Sequence, residues 1–376
     1  MKSDLCDRLG IDFPLFAFSH CRDVAAAVSR AGGMGVFGAV TLTPEQLETD
    51  LRWIDEQVAG RPYGIDLIVP NKIQGRGAST EQLLEAIPAD HKHFAETLLR
   101  EAGIDPQGLD EDRRETVRFA MNLQEGGAEE LLEVAFSHPI RLIANALGVP
   151  PPIMLEMGRR RGVPVAALVG AREHAVRQVA AGVDIIIAAG GEAGGHCGEV
   201  STLVLVPEVI EAIRPVSDVP VLAAGGIVTG RQMAACMAMG AAGAWTGSVW
   251  LTTAEAETSP AVREKLVRAS SRDTVRSRSR TGKPSRQLRS PWTDAWELGG
   301  PEPLPMPLQS LVSEPALHKI DKLALGGHEG ARRLATYWVG QGVGLMNHET
   351  SVRQVMQEFQ EDFLEAYERL QAIMEG

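Results

Sequence analysis

The sequence predicts a (β/α)8 TIM barrel with an inserted helical segment and a carboxyl-terminal helical extension. Short apolar runs alternate with segments of helical spacing along most of the chain. The runs are rich in Val, Ile and Ala without polar alternation, which is typical of parallel strands buried on both faces. Glycine-rich turns follow the last two runs, where such barrels commonly bind phosphate. A doubly wound sheet is the structural alternative.

The first part of the barrel is predicted at residues 1–74. Its strands are expected near Pro14–Phe18, Met34–Ala39 and Tyr63–Val69. The helix before the third strand begins at Thr43-Pro44-Glu45-Gln46, a capping box with proline at the first helical position. These elements follow the strand and helix order that a β/α barrel needs.

A charged segment with helical spacing, residues 75–130, interrupts this alternation. It is too long for an ordinary loop and predicts an inserted helical subdomain or lid over the barrel mouth. We expect His91 and His93 within it to be solvated. A further strand at Leu131–Phe136 would bring the count to about eight, the number that closes such a barrel.

The remaining barrel is predicted at residues 131–256, with an extension at residues 257–376 that packs on it. Its later strands are expected at Val163–Val169, Val183–Ala189, Val219–Ala224 and Ala242–Thr246. After Thr252 a Pro- and Arg-rich stretch is typical of a connection rather than a regular element. An apolar stripe then predicts a long final helix that packs on the barrel or on a partner subunit, such as a homodimer mate. The stripe comprises Val352, Val355, Met356, Phe359, Phe363, Tyr367 and Leu370.

Charge and composition exclude several classes of partner. The net charge of −12 would repel nucleic acid and anionic membranes unless a strong basic patch were present. The one basic segment, Arg272 to Arg289, contains no aromatic residues, so we expect a solvated loop. The four cysteines lack metal-ligand spacing and fit a reducing compartment. With no signal core and no membrane-length apolar run, we expect a cytoplasmic protein without a metal site.

The glycine-rich turn from Gly190 to Gly198 carries few side chains. Glycine lets backbone amides approach a flat ligand closely. His196 is the imidazole of this turn, and its ordinary pKa near 6.5 suits proton transfer at carbon. A structural histidine bonded to a backbone carbonyl is the alternative. We expect Glu192 to organise the turn and Cys197 to fill space rather than act as a nucleophile.

The next two turns are candidates for phosphate binding. The hydroxyl of Ser248 and the amides around Gly226 and Gly247 can bind a dianion without lysine. Ordinary tight turns are the alternative, because glycine also serves turn geometry. His138, which follows the presumed fourth strand, is a weaker candidate for contact with substrate.

These motifs together carry a family resemblance. The most specific segments are Glu192-Ala193-Gly194-Gly195-His196, Ala223-Ala224-Gly225-Gly226-Ile227 and Gly247-Ser248. The chain resembles the nitronate monooxygenase family of FMN-dependent β/α barrels through Phe13–Val69 and Pro164–Leu251. The resemblance implies an FMN cofactor, a small-molecule substrate and the oxidation of alkyl nitronates or a related small acidic-carbon substrate with oxygen.

Carried over by position, the resemblance implies that His196 is the catalytic base. Asp66 stands where the family usually has an asparagine near the flavin. The family's usual Ala-Pro-Met, Gln and Gln-Met are replaced here by Ala17-Phe18, Ala189 and Trp245-Thr246. Contacts to the flavin ring are therefore changed, whereas those to the phosphate are retained. The implied cofactor-binding residues are Ala17, Asp66, Ala189, Gly194, Gly225, Gly226, Gly247 and Ser248.

The departures leave two other functions open. His20, beside Cys21, could contact substrate at the barrel mouth, although packing or loop hydrogen bonding is an equal alternative. One alternative function is an NAD(P)H-dependent quinone or enoyl-thioester reductase of the same barrel family. Its nucleotide or carrier phosphate could meet the basic segment Arg272–Arg289. The other is a flavin-binding protein without catalytic activity.

Overall fold

The computed structural model describes residues 3–39, 42–67, 79–122 and 125–375 of the chain. The strands are β1 (Leu15–Ser19), β2 (Met34–Gly38), β3 (Tyr63–Leu67), β4 (Leu142–Asn145), β5 (Val165–Val169), β6 (Ile185–Ala189), β7 (Gly195–His196), β8 (Val221–Ala224), β9 (Gly243–Thr246), β10 (Thr274–Ser277) and β11 (Ser285–Leu288). The helices of the first half are α1 (Asp4–Leu9), α2 (Arg22–Arg30), α3 (Pro44–Gln57), α4 (Thr80–Glu85), α5 (Ala89–Glu101), α6 (Leu109–Asn122), α7 (Glu125–Ser137) and α8 (Pro152–Arg161). Those of the second half are α9 (Arg172–Ala181), α10 (Thr202–Ile213), α11 (Gly230–Ala238), α12 (Pro260–Arg268), α13 (Pro291–Leu298), α14 (Leu308–Leu325), α15 (Glu329–Leu334) and α16 (Val352–Glu375).

Among the described residues, eight parallel strands close into a barrel, which confirms the predicted fold class. Their order is β1-β2-β3-β4-β5-β6-β8-β9, and β9 returns to pair with β1. The capping box at Thr43 and Gln46 begins α3 as predicted. The predicted end of the third strand, residues 68 and 69, lies outside the described residues.

The fourth strand was wrongly placed at Leu131–Phe136, because these residues belong to α7. Leu131, Leu132, Ala135 and Phe136 are buried while Glu133 is exposed, which is the spacing of a helix face rather than a strand. The strand in this place is β4. The four residues of β4 give a weaker sequence signal for a strand than the longer apolar run of α7 that precedes them.

Two apolar layers hold the barrel together. Inward-facing side chains such as Phe16, Val36 and Ile187 form one cluster, which α1 joins through Leu5 and Leu9 at the amino-terminal end. Alternate strand residues face outward into the second cluster, between the strands and the surrounding helices. The carboxyl ends of the strands therefore remain the face on which a site can form.

Small residues at the contact between α2 and β2 serve packing. A Cβ added at Gly35 would lie 1.8 Å from the carbonyl oxygen of Ala25 in α2. The hydroxyl of Ser29 also accepts a hydrogen bond from the Gly35 amide at 3.1 Å. This part of the family resemblance therefore specifies how closely α2 packs against the barrel.

The segment between β3 and β4 is helical as expected, although residues 75–78 and 123–124 lie outside the described residues. Helices α5 and α6 pack against α14 of the extension, whereas α7 packs against the barrel helices α3 and α8. The proposed boundary at residue 130 consequently falls inside a barrel helix. His93 is exposed, but the prediction that His91 is solvated is wrong. The His91 ring is buried, with Nε2 3.0 Å from the carbonyl oxygen of Glu302.

The basic segment is not a solvated loop. Strands β10 and β11 form a three-stranded antiparallel sheet with β7, and the turn that joins β10 to β11 buries Arg280. The Pro- and Arg-rich stretch after Thr252 likewise contains regular elements, including α12 and α13. The composition of the basic segment did not predict this structure, because Glu314, the ion-pair partner of Arg280, lies far along the chain.

The final helix, α16, has two different halves. Val352, Val355, Met356 and Phe359 are buried, and the helix packs on α2 and α11. Beyond Phe363, apolar side chains of the same stripe are exposed, Tyr367 by 60% and Leu370 by 57%. No helix among the described residues is long and apolar enough to cross a membrane.

Candidate functional site at the carboxyl ends of the strands

His196 lies in β7, which leaves the barrel after β6 and pairs with β11 of the extension. Its Nε2 is 2.8 Å from the hydroxyl oxygen of Thr281. Burial lowers the pKa of the ring to about 4, with further lowering by the charges of Lys283 and Arg280. The imidazole is therefore neutral near pH 7, which is the form a general base requires.

The turn around His196 is held by Glu192, as predicted. One carboxylate oxygen of Glu192 accepts hydrogen bonds from the Thr202 amide at 2.8 Å and the Thr202 hydroxyl at 3.0 Å. Cys197 is half-buried, and burial raises the pKa of its thiol. The thiol stays protonated at neutral pH, which supports its interpretation as a space-filling residue.

The two predicted phosphate turns converge. Strands β8 and β9 are neighbours with Ala224 opposite Trp245, so Gly226 and Ser248 follow adjacent strand ends. In the described part of the chain, the amides of Gly226 and Gly247 donate to no protein acceptor. A Cβ at Gly247 would meet nothing closer than 3.9 Å, which leaves room above this turn. The turns can thus offer unused N–H groups to an anion.

The extension completes this pair of turns. The hydroxyl oxygen of Ser248 accepts a hydrogen bond from the Gly340 amide at 2.8 Å, which leaves the hydroxyl hydrogen for a ligand. A Cβ at Gly342 would lie 3.0 Å from the carbonyl oxygen of Gly226. The segment after residue 339 therefore contacts both turns, through Gly340 at Ser248 and Gly342 at Gly226.

Some of the predicted cofactor glycines are required by the protein's own packing. A Cβ at Gly225, where φ is +106°, would lie 2.8 Å from the Thr202 hydroxyl. A Cβ at Gly194 would lie 2.8 Å from the Gly340 amide nitrogen. Contact of these two residues with a cofactor remains a prediction, because the protein alone explains the absence of a side chain.

Three aromatic rings, those of Phe16, Phe18 and Trp245, lie together on the neighbouring strands β1 and β9. Trp245 is stacked with Phe18 and with Phe16, each at a centroid distance of 6.3 Å. Ala189 faces the barrel interior with them. Ala17 faces outward into the helix layer, so only its backbone could contact a cofactor.

Asp66 is a buried carboxyl group at the carboxyl end of β3. Its side chain is 4% exposed, and Oδ1 has no hydrogen-bond partner among the described residues. Burial raises its pKa well above the ordinary value. A neutral carboxyl offers one donor and one acceptor, as the family's usual asparagine also does through its amide. Asp66 thus retains the hydrogen-bonding capacity of the residue it replaces.

A buried ion pair near His196, formed by Arg280 and Glu314, was not predicted from the sequence. Nε and Nη2 of Arg280 donate to Glu314 at 2.8 and 3.1 Å, and the guanidinium lies 3.7 Å from the ring centroid of Trp338. His20 lies 6.4 Å from the same tryptophan ring, and its Nδ1 is 3.0 Å from a backbone carbonyl oxygen. Burial, followed by the charge of Arg280, lowers the pKa of His20. The structure therefore places His20 at the mouth, where the weaker prediction had put it.

His138 lies elsewhere. It precedes β4, so it sits at the amino-terminal end of the barrel, and its Nδ1 and Nε2 lie 2.6 and 3.0 Å from carboxylate oxygens of Asp55 and Glu48. This correction removes His138 from the candidates for substrate contact. The sequence interpretation failed because the strand was placed before this histidine rather than after it.

Comparison with known proteins extends over the whole chain. A family model described as nitronate monooxygenase matches residues 3–362. A candidate monooxygenase of Mycobacterium tuberculosis is 50% identical over 380 residues, covering 100% of both chains. A candidate nitronate monooxygenase of Staphylococcus saprophyticus is 26% identical, covering 90% of this chain and 92% of its own.

Two solved structures share the fold at full length. Nitroalkane oxidase from Streptomyces ansochromogenes has a TM-score of 0.80 at 25% identity, covering 98% of this chain and 100% of its own. FabK from Thermotoga maritima has a TM-score of 0.73 at 26% identity, covering 99% of both chains. The likeness therefore includes the inserted helices and the extension as well as the glycine turns.

Proposed function

Because the chain belongs to the nitronate monooxygenase family and is a flavin-dependent oxidoreductase, we propose that it binds FMN and oxidises alkyl nitronates or related small carbon acids with oxygen. One observation carries the proposal: a neutral imidazole lies at the same barrel mouth as two adjacent turns with unused amides. Family membership also favours an enzyme over a flavin-binding protein without turnover.

The residues present fit this cofactor. The amides of Gly226 and Gly247 and the hydroxyl of Ser248 would bind the phosphate. Asp66, whose Oδ1 lacks a partner among the described residues, would bond to a polar edge of the ring. Phe18 and Trp245 would exclude water below it. Bound FMN would accept electrons from the substrate and pass them to oxygen.

We assign proton transfer to His196. In this assignment the Thr281 hydroxyl donates to the carbonyl oxygen of Lys283, 3.3 Å away, and its oxygen accepts the Nε2–H of His196. The lone pair is then on Nδ1, which takes the proton from the carbon of a neutral carbon acid. The barrel turns hold the cofactor, while β7 and the extension hold the base.

A second function is favoured by the cations at the mouth. Lys283 lies close enough to lower the pKa of His196, and burial lowers the pKa of its own ammonium group. A cation here could meet the phosphate of NAD(P)H, as a quinone or enoyl-thioester reductase would require. The structural likeness to FabK is compatible with this alternative.

One experiment separates the two functions. The purified protein is examined for a flavin spectrum, the chromophore is released and identified, and the holoprotein is titrated anaerobically with propyl nitronate and with NAD(P)H. We expect FMN, bleached by the nitronate. Bleaching by NAD(P)H alone would select the reductase, and failure to bind added FMN would overturn both functions.

We also propose a cytoplasmic location. The four cysteines of the chain are free, and three of them are buried. Free thiols are usual in a reducing compartment. Localisation of a tagged full-length protein would test this proposal, and recovery outside the cytoplasm would overturn it.

A further inference from the structure

Arg280 keeps part of its guanidinium unpaired although its side chain is buried. The residue is 4% exposed, and Glu314 accepts from Nε and Nη2. Nη1 has no acceptor among the described residues. A buried donor without an acceptor is costly, so such a group calls for an explanation.

The position of Arg280 connects it to the proposed base. The next residue, Thr281, bonds to His196 at 2.8 Å, and the charge of Arg280 lowers the pKa of both His196 and His20. Glu314 occupies the edge of the guanidinium formed by Nε and Nη2. Glu314 lies on α14, and Nη1 is the nitrogen that it leaves free, in a guanidinium whose charge acts on both imidazoles.

A purely structural ion pair does not account for this arrangement. Buried ion pairs contribute little net stability, and this one leaves N–H groups unsatisfied. Asp321, on α14 like Glu314, makes no hydrogen bond to Arg280, and burial raises the pKa of its carboxyl to about 6. The pair instead holds the guanidinium rigidly, with Trp338 against its face at 3.7 Å.

We propose that Nη1 of Arg280 binds the substrate oxygen that bears the negative charge, so that the site recognises planar oxyanions of the nitronate type, whether they enter as such or form when His196 takes the carbon proton. An arginine N–H in a dry site favours a negatively charged oxygen. The proposal rests on the proposed function only in placing the substrate beside His196. It makes Arg280 a specificity residue contributed by the extension.

The test uses the FMN-loaded protein and two probes. Sodium nitrate, a planar oxyanion that is not oxidised, is titrated while the flavin absorbance is recorded, and propyl nitronate is used for steady-state kinetics. The variants are Arg280→Lys and the double variant Arg280→Met/Glu314→Met, which removes both members of the buried ion pair. Arg278→Gln is the matched control, because Arg278 pairs with the exposed Glu302 at the surface.

We expect the double variant to bind nitrate roughly 10- to 100-fold more weakly, in line with loss of a hydrogen bond to a charged group. Arg280→Lys should retain part of the affinity, and Arg278→Gln should match the wild type. The KM for nitronate should rise in the same order. Wild-type nitrate binding without nitronate oxidation would reject the proposed function while keeping anion recognition.

Equal nitrate affinity in the wild type and the folded double variant would overturn the role of Arg280. Circular dichroism and retention of bound FMN establish whether that variant is folded. If it is not, Arg280→Lys decides alone: unchanged nitrate affinity and an unchanged KM would contradict the proposal, since lysine lacks the rigid fork.

Discussion

The two sides of the barrel mouth use different chemistry. On one side, the turns after β8 and β9 offer backbone amides and one hydroxyl, with glycines that leave room for a ligand. The charged groups belong to other segments: His196 is in β7, Arg280 is in the turn between β10 and β11, and His20 follows β1. Burial lowers the pKa of both histidines, and Arg280 is buried with Glu314. We call these the glycine side and the charged side.

The glycine side and the charged side depend on different parts of the fold. Backbone amides need only the correct turn geometry, so the barrel itself can supply the glycine side. Buried charges need partners and exclusion of water, which requires further elements packed over the mouth. Variants on the charged side should therefore change chemistry and stability, whereas those on the glycine side should change cofactor binding.

The largest effect is expected from His196→Ala. With a neutral carbon acid as substrate, loss of the general base should lower the turnover number by roughly 10²- to 10⁴-fold. Flavin affinity should change little, because the amides and the hydroxyl that would bind the phosphate belong to the turns after β8 and β9 and not to His196. Steady-state kinetics and flavin titration measure both quantities, with the exposed His93→Ala as control. Weakened flavin affinity with an unchanged turnover number at saturating FMN would contradict this division.

Glu314→Ala should destabilise the protein strongly. It leaves Arg280 buried without its carboxylate, which typically lowers the free energy of unfolding by about 3–5 kcal/mol. Glu302→Ala removes the partner of the half-exposed Arg278 and should cost less than about 1 kcal/mol. Denaturant unfolding of both variants provides the comparison. Equal losses would mean that the charged side is not buried in solution.

Gly225→Ala should weaken the glycine side. The residue has φ of +106°, and a Cβ would meet the Thr202 hydroxyl at 2.8 Å, so strain of about 1–3 kcal/mol is expected. The turn should shift and FMN should bind less tightly. Gly299→Ala is the control, because nothing lies within 4 Å of a Cβ there. Unchanged FMN affinity in a stable Gly225→Ala protein would argue against this turn as a phosphate site.

The pH profile should report the environment of His196. Its pKa is lowered to about 4, so the neutral base persists well below the ordinary histidine value of 6.5. Activity that needs the neutral ring should stay level from pH 7 towards 5 and fall as the pH approaches 4. Stopped-flow flavin reduction by substrate at each pH measures this. A transition centred at 6.5 would show a solvated imidazole.

Asp66→Asn should leave FMN affinity nearly unchanged at neutral pH. The neutral acid and the amide each offer at least one donor and one acceptor, so FMN affinity should stay within about 1 kcal/mol. The raised folded-state pKa of Asp66 means that stability is lost as pH rises from the unfolded to the folded pKa. Asp66→Asn should therefore be more stable than wild type at pH 8, with the difference disappearing near pH 3. The reverse trend in thermal unfolding would show an ionised Asp66.

Much of the architecture was predictable because its signals are local. The buried strands β2, β6, β8 and β9 and the capping box at Thr43 could be predicted from neighbouring residues alone. The fourth strand was not, because the apolar face of α7 gave a stronger signal than the short β4. The final helix was correct, but its exposed second half could not be separated from its buried first half by pattern.

Within the candidate site, the glycine turns and His196 could be predicted from the chain alone, because backbone freedom and a titratable ring are properties of the residues present. The burial of Arg280, its pairing with Glu314 and the position of His138 away from the mouth became visible only in the folded chain. Burial and charge pairing depend on segments that lie far apart in the chain. The composition of one segment does not show which distant segment will pack against it.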